Sequence, residues 1–189
     1  MLAANSDTMH TCALRPHLIW GPDDTHLVPR LLTRARTGRL RRVGEGTNLV
    51  DITFVENAAD AHLRAADALG NGSPPAEAGS PGGKAYFISQ GEPVNCWRWI
   101  DDVLALAELP PVEKSVSREA ASRAGAAFEF VYRSMRLASE PPMSRFLAAQ
   151  LSTSHWFDIS AARNELGYQP RVSTAEGMRR LGEWLRGAR

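Results

Sequence analysis

The sequence predicts an α/β protein. Short β-prone apolar runs alternate with segments of helical periodicity, as strands separated by helices do. Few strands are present for the number of helices, so the expected sheet is small or incomplete. Composition agrees with an ordinary folded chain: of 189 residues, 43% are hydrophobic and 23% charged. That balance excludes wholesale disorder, collagen-like repeats and a disulfide scaffold.

The first strand is expected at residues 10–14 (HTCAL), ended by Pro16. A turn follows at Gly21-Pro22. Residues 26–37 read as a helix whose apolar face is Leu27, Val28, Leu31, Leu32 and Ala35, stopped by Gly38. Residues 41–44 and 49–55 read as two short strands joined by a hairpin turn at Gly44-x-Gly46. Asn57 is expected to cap a helix running to about Leu69, with Gly70 just past its end. Residues 70–83 are dominated by Gly, Pro and Ser and read as a flexible surface loop.

A second strand is expected at residues 84–89. Asn95 can cap a helix bearing Trp97, Ile100, Leu104 and Ala107, which Pro110-Pro111 break. Residues 112–116 read as a short strand. Residues 119–137 read as the longest helix, with Ala121, Ala124, Phe128, Val131, Tyr132 and Met135 on one face. Shorter helices are expected at 145–151 and at 160–166, the latter stopped by Gly167. Ser173 with Glu176 forms a capping box for a last helix bearing Met178, Leu181 and Leu185.

Charge and cysteine content narrow the function. Twenty-two basic residues meet twenty-one acidic ones, so no bulk field drives nucleic-acid or membrane binding. Six arginines and no acid lie between Arg30 and Arg42. They suit either an anionic ligand or the solvated face of the 26–37 helix, and the solvated face is favoured. No nucleic-acid partner is expected. Two cysteines, Cys12 and Cys96, are too few for a secreted disulfide framework, so a reduced cytoplasmic setting is expected. The N-terminus lacks the pattern of a signal peptide. No apolar stretch reaches membrane-spanning length, because Arg123, Glu129 and Arg133 interrupt the nearest one.

Catalytic motifs are sparse. His10, Cys12 and His17 lack further ligands at zinc spacing, so no metal is expected. No Gly-x-Ser-x-Gly elbow and no Gly-x-Gly-x-x-Gly fingerprint occurs. None of Tyr86, Tyr132 and Tyr168 has a lysine four residues on.

Three segments in order carry more information: LRPHLIWGPDD (14–24), GEGTNLVDITFVENAADAHLRAA (44–66) and DISAARNELGYQPRVSTAEGMRRLGEWL (158–185). Together they resemble the C-terminal part of the extended short-chain dehydrogenase/reductases, over essentially the whole chain. Nucleotide-sugar epimerases and dehydratases of that superfamily usually carry an arginine before the aspartate at position 51. Here Val50 stands there, and a valine cannot pair with a diphosphate. The run from Phe54 to His62, with FISQGEPVNCW (87–97), is similar instead to the 3β-hydroxysteroid dehydrogenase/isomerase branch. That branch includes sterol 4-carboxylate 3-dehydrogenases and bacterial reductases of 2-alkyl-3-oxoalkanoates.

The resemblance implies a single partial domain over 1–189. It would comprise the C-terminal part of a doubly wound Rossmann-type sheet plus a mostly helical substrate-binding lobe. Late sheet strands would lie at about 10–15 and 84–89, and the lobe at about 24–55 and 110–157. It implies an NAD- or NADP-dependent oxidoreductase acting on a sterol, steroid or β-keto-acid lipid. The family's Tyr-x-x-x-Lys pair and glycine-rich loop would lie upstream of this sequence, so no catalytic residue is assigned and the chain alone is expected to be inactive. By position, the resemblance places Pro16, His17 and Leu18 at the nicotinamide edge. It places Trp20, His26 and Trp156 in the substrate lobe. A homodimer is left open as the assembly. The rival readings are a non-catalytic interaction module descended from a dehydrogenase, and a nucleotide-sugar epimerase or dehydratase relative.

Overall fold

A computed structural model describes residues 2–6, 8–70 and 80–187. After a single 3-10 turn at Leu2–Ala4, its strands and α-helices in chain order begin with β1 (Ala13–Pro16), β2 (Ile19–Trp20), α1 (Leu27–Arg36), β3 (Arg42–Val43), β4 (Leu49–Val50), β5 (Thr53–Phe54) and α2 (Val55–Gly70). They continue with β6 (Ala85–Ile88), β7 (Val94–Asn95), α3 (Cys96–Leu106), β8 (Ser115–Val116), α4 (Arg118–Ser134), α5 (Arg145–Gln150), α6 (Ser160–Leu166) and α7 (Thr174–Gly187). Contacts divide the chain into two units. The first is Met1–Val28, Asp51–Pro93 and Trp156–Arg189; the second is Pro29–Val50 and Val94–His155.

In the first unit β1 runs parallel to β6, with Ala13 opposite Ala85 and Pro16 opposite Ile88. The strand starts three residues later than the sequence suggests and includes Pro16. The ladder explains why proline is tolerated: Ala13 and His17 donate to Lys84 and Ile88, so the alternate position 16 needs no N–H toward β6. β2 lies parallel to β5. One face of the β1–β6 pair is sealed by α2 and α6, whose Ala61, Ala65 and Ala162 let the helices close on Tyr86 and Ile88. Gly167 ends α6 in the left-handed conformation (φ 64°), as expected. Gly177 lets α7 press on the core, since a Cβ there would meet Phe54 at 2.8 Å and Trp20 at 2.9 Å.

Asn57 is not a cap. α2 begins two residues earlier, and the buried Asn57 amide works inside it. It donates to the Gln90 side chain (2.6 Å) and the Val172 carbonyl (2.8 Å), and accepts from the N–H groups of Arg171 and Val172 (3.0 Å each). Four bonds at a buried site outweigh the single bond a cap would make. Gly70 is the last residue of α2, not the residue after it. Of the loop expected at 70–83, residues 71–79 lie outside the described residues.

In the second unit β3 pairs parallel with β8, and β4 pairs antiparallel with β7. The expected hairpin is therefore absent: the strands flanking Gly44-x-Gly46 take different partners. Both glycines have left-handed backbones (φ 75° and 77°), and the Gly46 carbonyl accepts from the Asn95 side chain (2.8 Å). That side chain also caps α3, accepting from the N–H groups of Trp97 and Arg98, as the sequence predicts. α3 buries Trp97, Trp99, Ile100, Val103 and Leu104. On α4 the buried residues are Ala121 and Gly125, not the larger apolar ones. The backbone of Ser144 and Arg145 sits against Gly125, where a Cβ would come within 2.6 Å, so only a small residue permits the approach. Phe128, Val131 and Met135 of the expected face are left exposed. Among the described residues, no helix is long and apolar enough to cross a membrane.

Candidate functional site

The chemistry-bearing residues of the first unit gather where β1 and β6 end together. Parallel strands present their carboxyl ends on one side, and open α/β sheets bind ligands there. Thr53, fully buried, fastens this end. Its hydroxyl lies 2.7 Å from the His17 carbonyl and 3.1 Å from the Ile88 carbonyl, while its N–H donates to the Leu18 carbonyl at 3.1 Å. The chain leaves β1 through a left-handed residue, Leu18, at φ 44°. A branched side chain in that region costs about 1–2 kcal/mol, which the surrounding hydrogen bonds must offset.

The opposite sheet face from α2 and α6 carries an aromatic group. The Phe87 ring stacks on Phe157, with centroids 4.1 Å apart and planes 8° apart. His17 meets the Phe157 ring edge-on at 5.3 Å, and the Arg15 guanidinium lies 5.7 Å from the Phe87 centroid. The buried Asp51 carboxylate fixes Phe157 by accepting its backbone N–H at 2.9 Å.

Of the expected site residues, Pro16, His17 and Leu18 occupy this strand end together. Trp156 precedes Phe157 and is 58% exposed, open to a ligand. His26 is exposed at the head of α1, its N–H donating to Asp24 (2.7 Å), which also accepts from Leu27 and Val28. Trp20 is different: it is 0% exposed, set edge-on to Phe54 at 5.3 Å, and serves the core. Sequence reasoning does not single out Phe87, Phe157 and Asp51, which the structure gathers at this candidate site. The alternation of the 84–89 strand put Phe87 on the face opposite Tyr86, and that was the available signal.

The tyrosines do other work. Tyr86 donates to Glu165 at 2.5 Å, and Lys84 pairs with the same carboxylate at 2.8 Å. Burial, then the bond to Glu165, pushes the Tyr86 phenol well above its ordinary range. Lys84 and Tyr86 in turn hold Glu165 below the usual carboxylate range. Tyr168 donates to the Ser89 carbonyl (3.0 Å), and burial raises its phenol too. A tyrosine that must act as a base needs the opposite shift.

Residues 1–110 match the 3-beta hydroxysteroid dehydrogenase/isomerase family. The chain belongs to that family. Among its relatives, the 2-alkyl-3-oxoalkanoate reductase of Stenotrophomonas maltophilia is 50% identical over 96% of this chain and 53% of that protein. The sterol-4-alpha-carboxylate 3-dehydrogenase (decarboxylating) of Schizosaccharomyces pombe is 33% identical over 98% of this chain and 53% of its own length. The chain thus spans about half the length of the curated relatives it matches. In fold it is similar to a Bacillus cereus UDP-glucuronic acid 4-epimerase solved in complex with NAD. That structure has a TM-score of 0.58 at 16% identity, over 94% of this chain and 45% of that one. An epimerase from Methanothermobacter thermautotrophicus gives 0.60 at 19% identity, over 95% of this chain and 44% of that one. The Rossmann-type α/β class expected from the sequence is therefore the observed one. In this member of the 3-beta hydroxysteroid dehydrogenase/isomerase family, Val50 is buried and paired with β7, with no charged group to offer.

Proposed function

We propose that this chain supplies one edge of a nicotinamide site, together with substrate-facing residues, to an NAD(P)-dependent oxidoreductase. The reaction acts on a 3β-hydroxy or 3-keto group of a sterol, steroid or β-keto-acid lipid. The observation that carries this reading is the left-handed turn at Leu18, set at the carboxyl end of the parallel β1–β6 pair. Family membership and the names of the relatives supply the substrate class.

The residues fit an edge of such a site and no more. The His17 N–H already serves Ile88, and the carbonyls of His17 and Leu18 already accept from Thr53. Cofactor contact is assigned to Pro16, His17 and Leu18 together, at the turn that leaves β1. When bound, a nicotinamide supplies hydride exchange with the carbon bearing the substrate oxygen. Thr53 and Asp51 hold the strand end and Phe157 in place, and the Phe87–Phe157 stack offers a flat apolar wall against water. Trp156 and His26 are the proposed substrate contacts, with Trp20 as support beneath the β2–β5 pair.

Proton transfer is assigned to residues outside these 189. Tyr86 and Tyr168 are committed to hydrogen bonds that favour their neutral forms, and Tyr132 has Arg136 four residues on. The chain alone is accordingly proposed to be inactive. The test joins it to the upstream half of its Stenotrophomonas relative, which completes the family's length. The joined protein should reduce a 2-alkyl-3-oxoalkanoate with NADH or NADPH. In that protein His17→Ala should raise the KM for the nucleotide about ten-fold, beyond any small loss of melting temperature from its contact with Phe157, which Phe157→Leu measures separately. An unchanged KM would remove His17 from the site. A reducing cytoplasmic location and a homodimer complete the proposal; light scattering reads the latter.

A further inference from the structure

The arginine run between Arg30 and Arg42 finds a setting in the second unit that the solvated-face reading does not describe. A cavity of about 570 Å³ opens between the end of α1, the 37–41 turn, α4 and the residues that flank α5, Pro142, Met143 and Leu151. Ala121, Ala124 and Phe128 from α4, with Met143 and Leu151, make its apolar lining, and Thr33 and Thr37 add hydroxyls on the α1 side. The small side chains of α4 leave the trough open, and Phe128 bounds it. Three arginines, Arg34, Arg39 and Arg41, line the same cavity, and no acidic residue among the described ones does. Arg30 has Glu140 at 3.1 Å, whereas among the described residues Arg34 donates to the Pro142 carbonyl, at 2.8 Å, and pairs with no carboxylate. The Arg34 charge is thus half-buried without a carboxylate to balance it.

We propose that this cavity binds a long-chain carboxylate, with the alkyl chain along Ala121, Ala124 and Phe128 and the head group on Arg34. The volume falls in the range of small-molecule pockets, roughly 300–1,000 Å³. A guanidinium matches a carboxylate in a two-pronged bond, and the apolar α4 wall lacks polar groups that a sugar or nucleotide would need. Burial, then the neighbouring Arg30, disfavours the charged form of Arg34, and a bound anion relieves both. Arg39 and Arg41, both exposed, add positive potential at the mouth. The inference deepens the oxidoreductase reading, whose β-keto-acid lipid is also a long-chain carboxylate, but binding here needs no nicotinamide, so its failure is distinguishable from the failure of that reading.

The test is a fluorescence titration of the 189-residue chain with cis-parinaric acid, followed by displacement with palmitate and with hexadecanol. We expect one saturable site, displaced by palmitate at least ten-fold better than by hexadecanol. Ala124→Phe, which fills the trough from an exposed position, should weaken binding at least ten-fold. Arg34→Gln should weaken palmitate and leave hexadecanol unchanged. Equal displacement by acid and alcohol would overturn the assignment, and that comparison needs no variant. So would parinarate binding untouched by Ala124→Phe in a folded protein. α4 also exposes Phe130 and Met135, so phosphatidylglycerol vesicles form a third arm. Co-sedimentation with vesicles, without stoichiometric palmitate binding, would replace the cavity proposal with a membrane-surface one.

Discussion

The two units bury different things. In the first, the buried polar residues among those described are Asp51, Thr53, Asn57, Ser80, Ser89 and Gln90. The bonds of Thr53, Asn57 and Gln90 tie the ends of β1 and β6 to β5, α2 and the 171–172 segment. In the second, Asn48 is the buried polar residue, while Phe128, Phe130, Val131, Met135, Leu137 and Phe146 stay exposed across α4, α5 and their connection. The contrast teaches what each unit is for. Buried polar groups demand one geometry, because every mismatch leaves an unsatisfied group. That suits a strand end that must hold a few atoms in place. Helices joined through small residues, with large ones left outside, suit a surface that meets an apolar ligand.

The sharpest break of this contrast is Asn57→Ala. It strands the backbone N–H groups of Arg171 and Val172 and removes one bond each from Gln90 and the Val172 carbonyl, which keep their bonds to Phe54 and to each other. The expected loss is about 3–5 kcal/mol in urea unfolding. Gly177→Ala comes next, forcing a methyl against Phe54 and Trp20 for about 1–3 kcal/mol. An equal loss from Asn57→Ala and from a comparable polar change at exposed Thr37 would end the comparison.

Smaller effects sharpen it. Glu176 lies between Arg179 and Arg180, whose hydrogen bonds pull its pKa from 4.5 to about 2. Its folded value is depressed, so its contribution is complete above the ordinary carboxylate range and lost as the pH falls toward 2. Glu176→Gln should flatten thermal stability between pH 4.5 and 2, with its full but small loss at pH 7, small because the pair is exposed, and none below pH 2. Phe130→Ser, at a residue 69% exposed, should leave stability within about 0.5 kcal/mol. A larger loss would mean that α4 is packed rather than open.

Periodicity and end signals made most helices legible. Asn95, Gly167 and Ser173 mark their helix ends as local chemistry dictates, and the Ser173 hydroxyl accepts from the Glu176 N–H at 3.2 Å. What local chemistry could not show was partnership. Gly44-x-Gly46 has hairpin residues, but β3 and β4 find better partners in β8 and β7, far along the chain. Asn57 has a cap's side chain, but tertiary bonds to residues 90, 171 and 172 claim it. The strand end at Pro16, His17 and Leu18 was legible through family resemblance. Its aromatic wall was not, because Phe87 and Phe157 meet across seventy positions and no local pattern links them.

The central claim is that this chain holds a site's edge and not its proton-transfer group. Turnover of a 2-alkyl-3-oxoalkanoate by the purified 189-residue chain, followed as NADH or NADPH absorbance, tests it most directly. The account predicts a rate no higher than that of the buffer control. Substrate-dependent turnover by the chain alone would contradict it, and would require a proton donor other than a tyrosine paired with lysine.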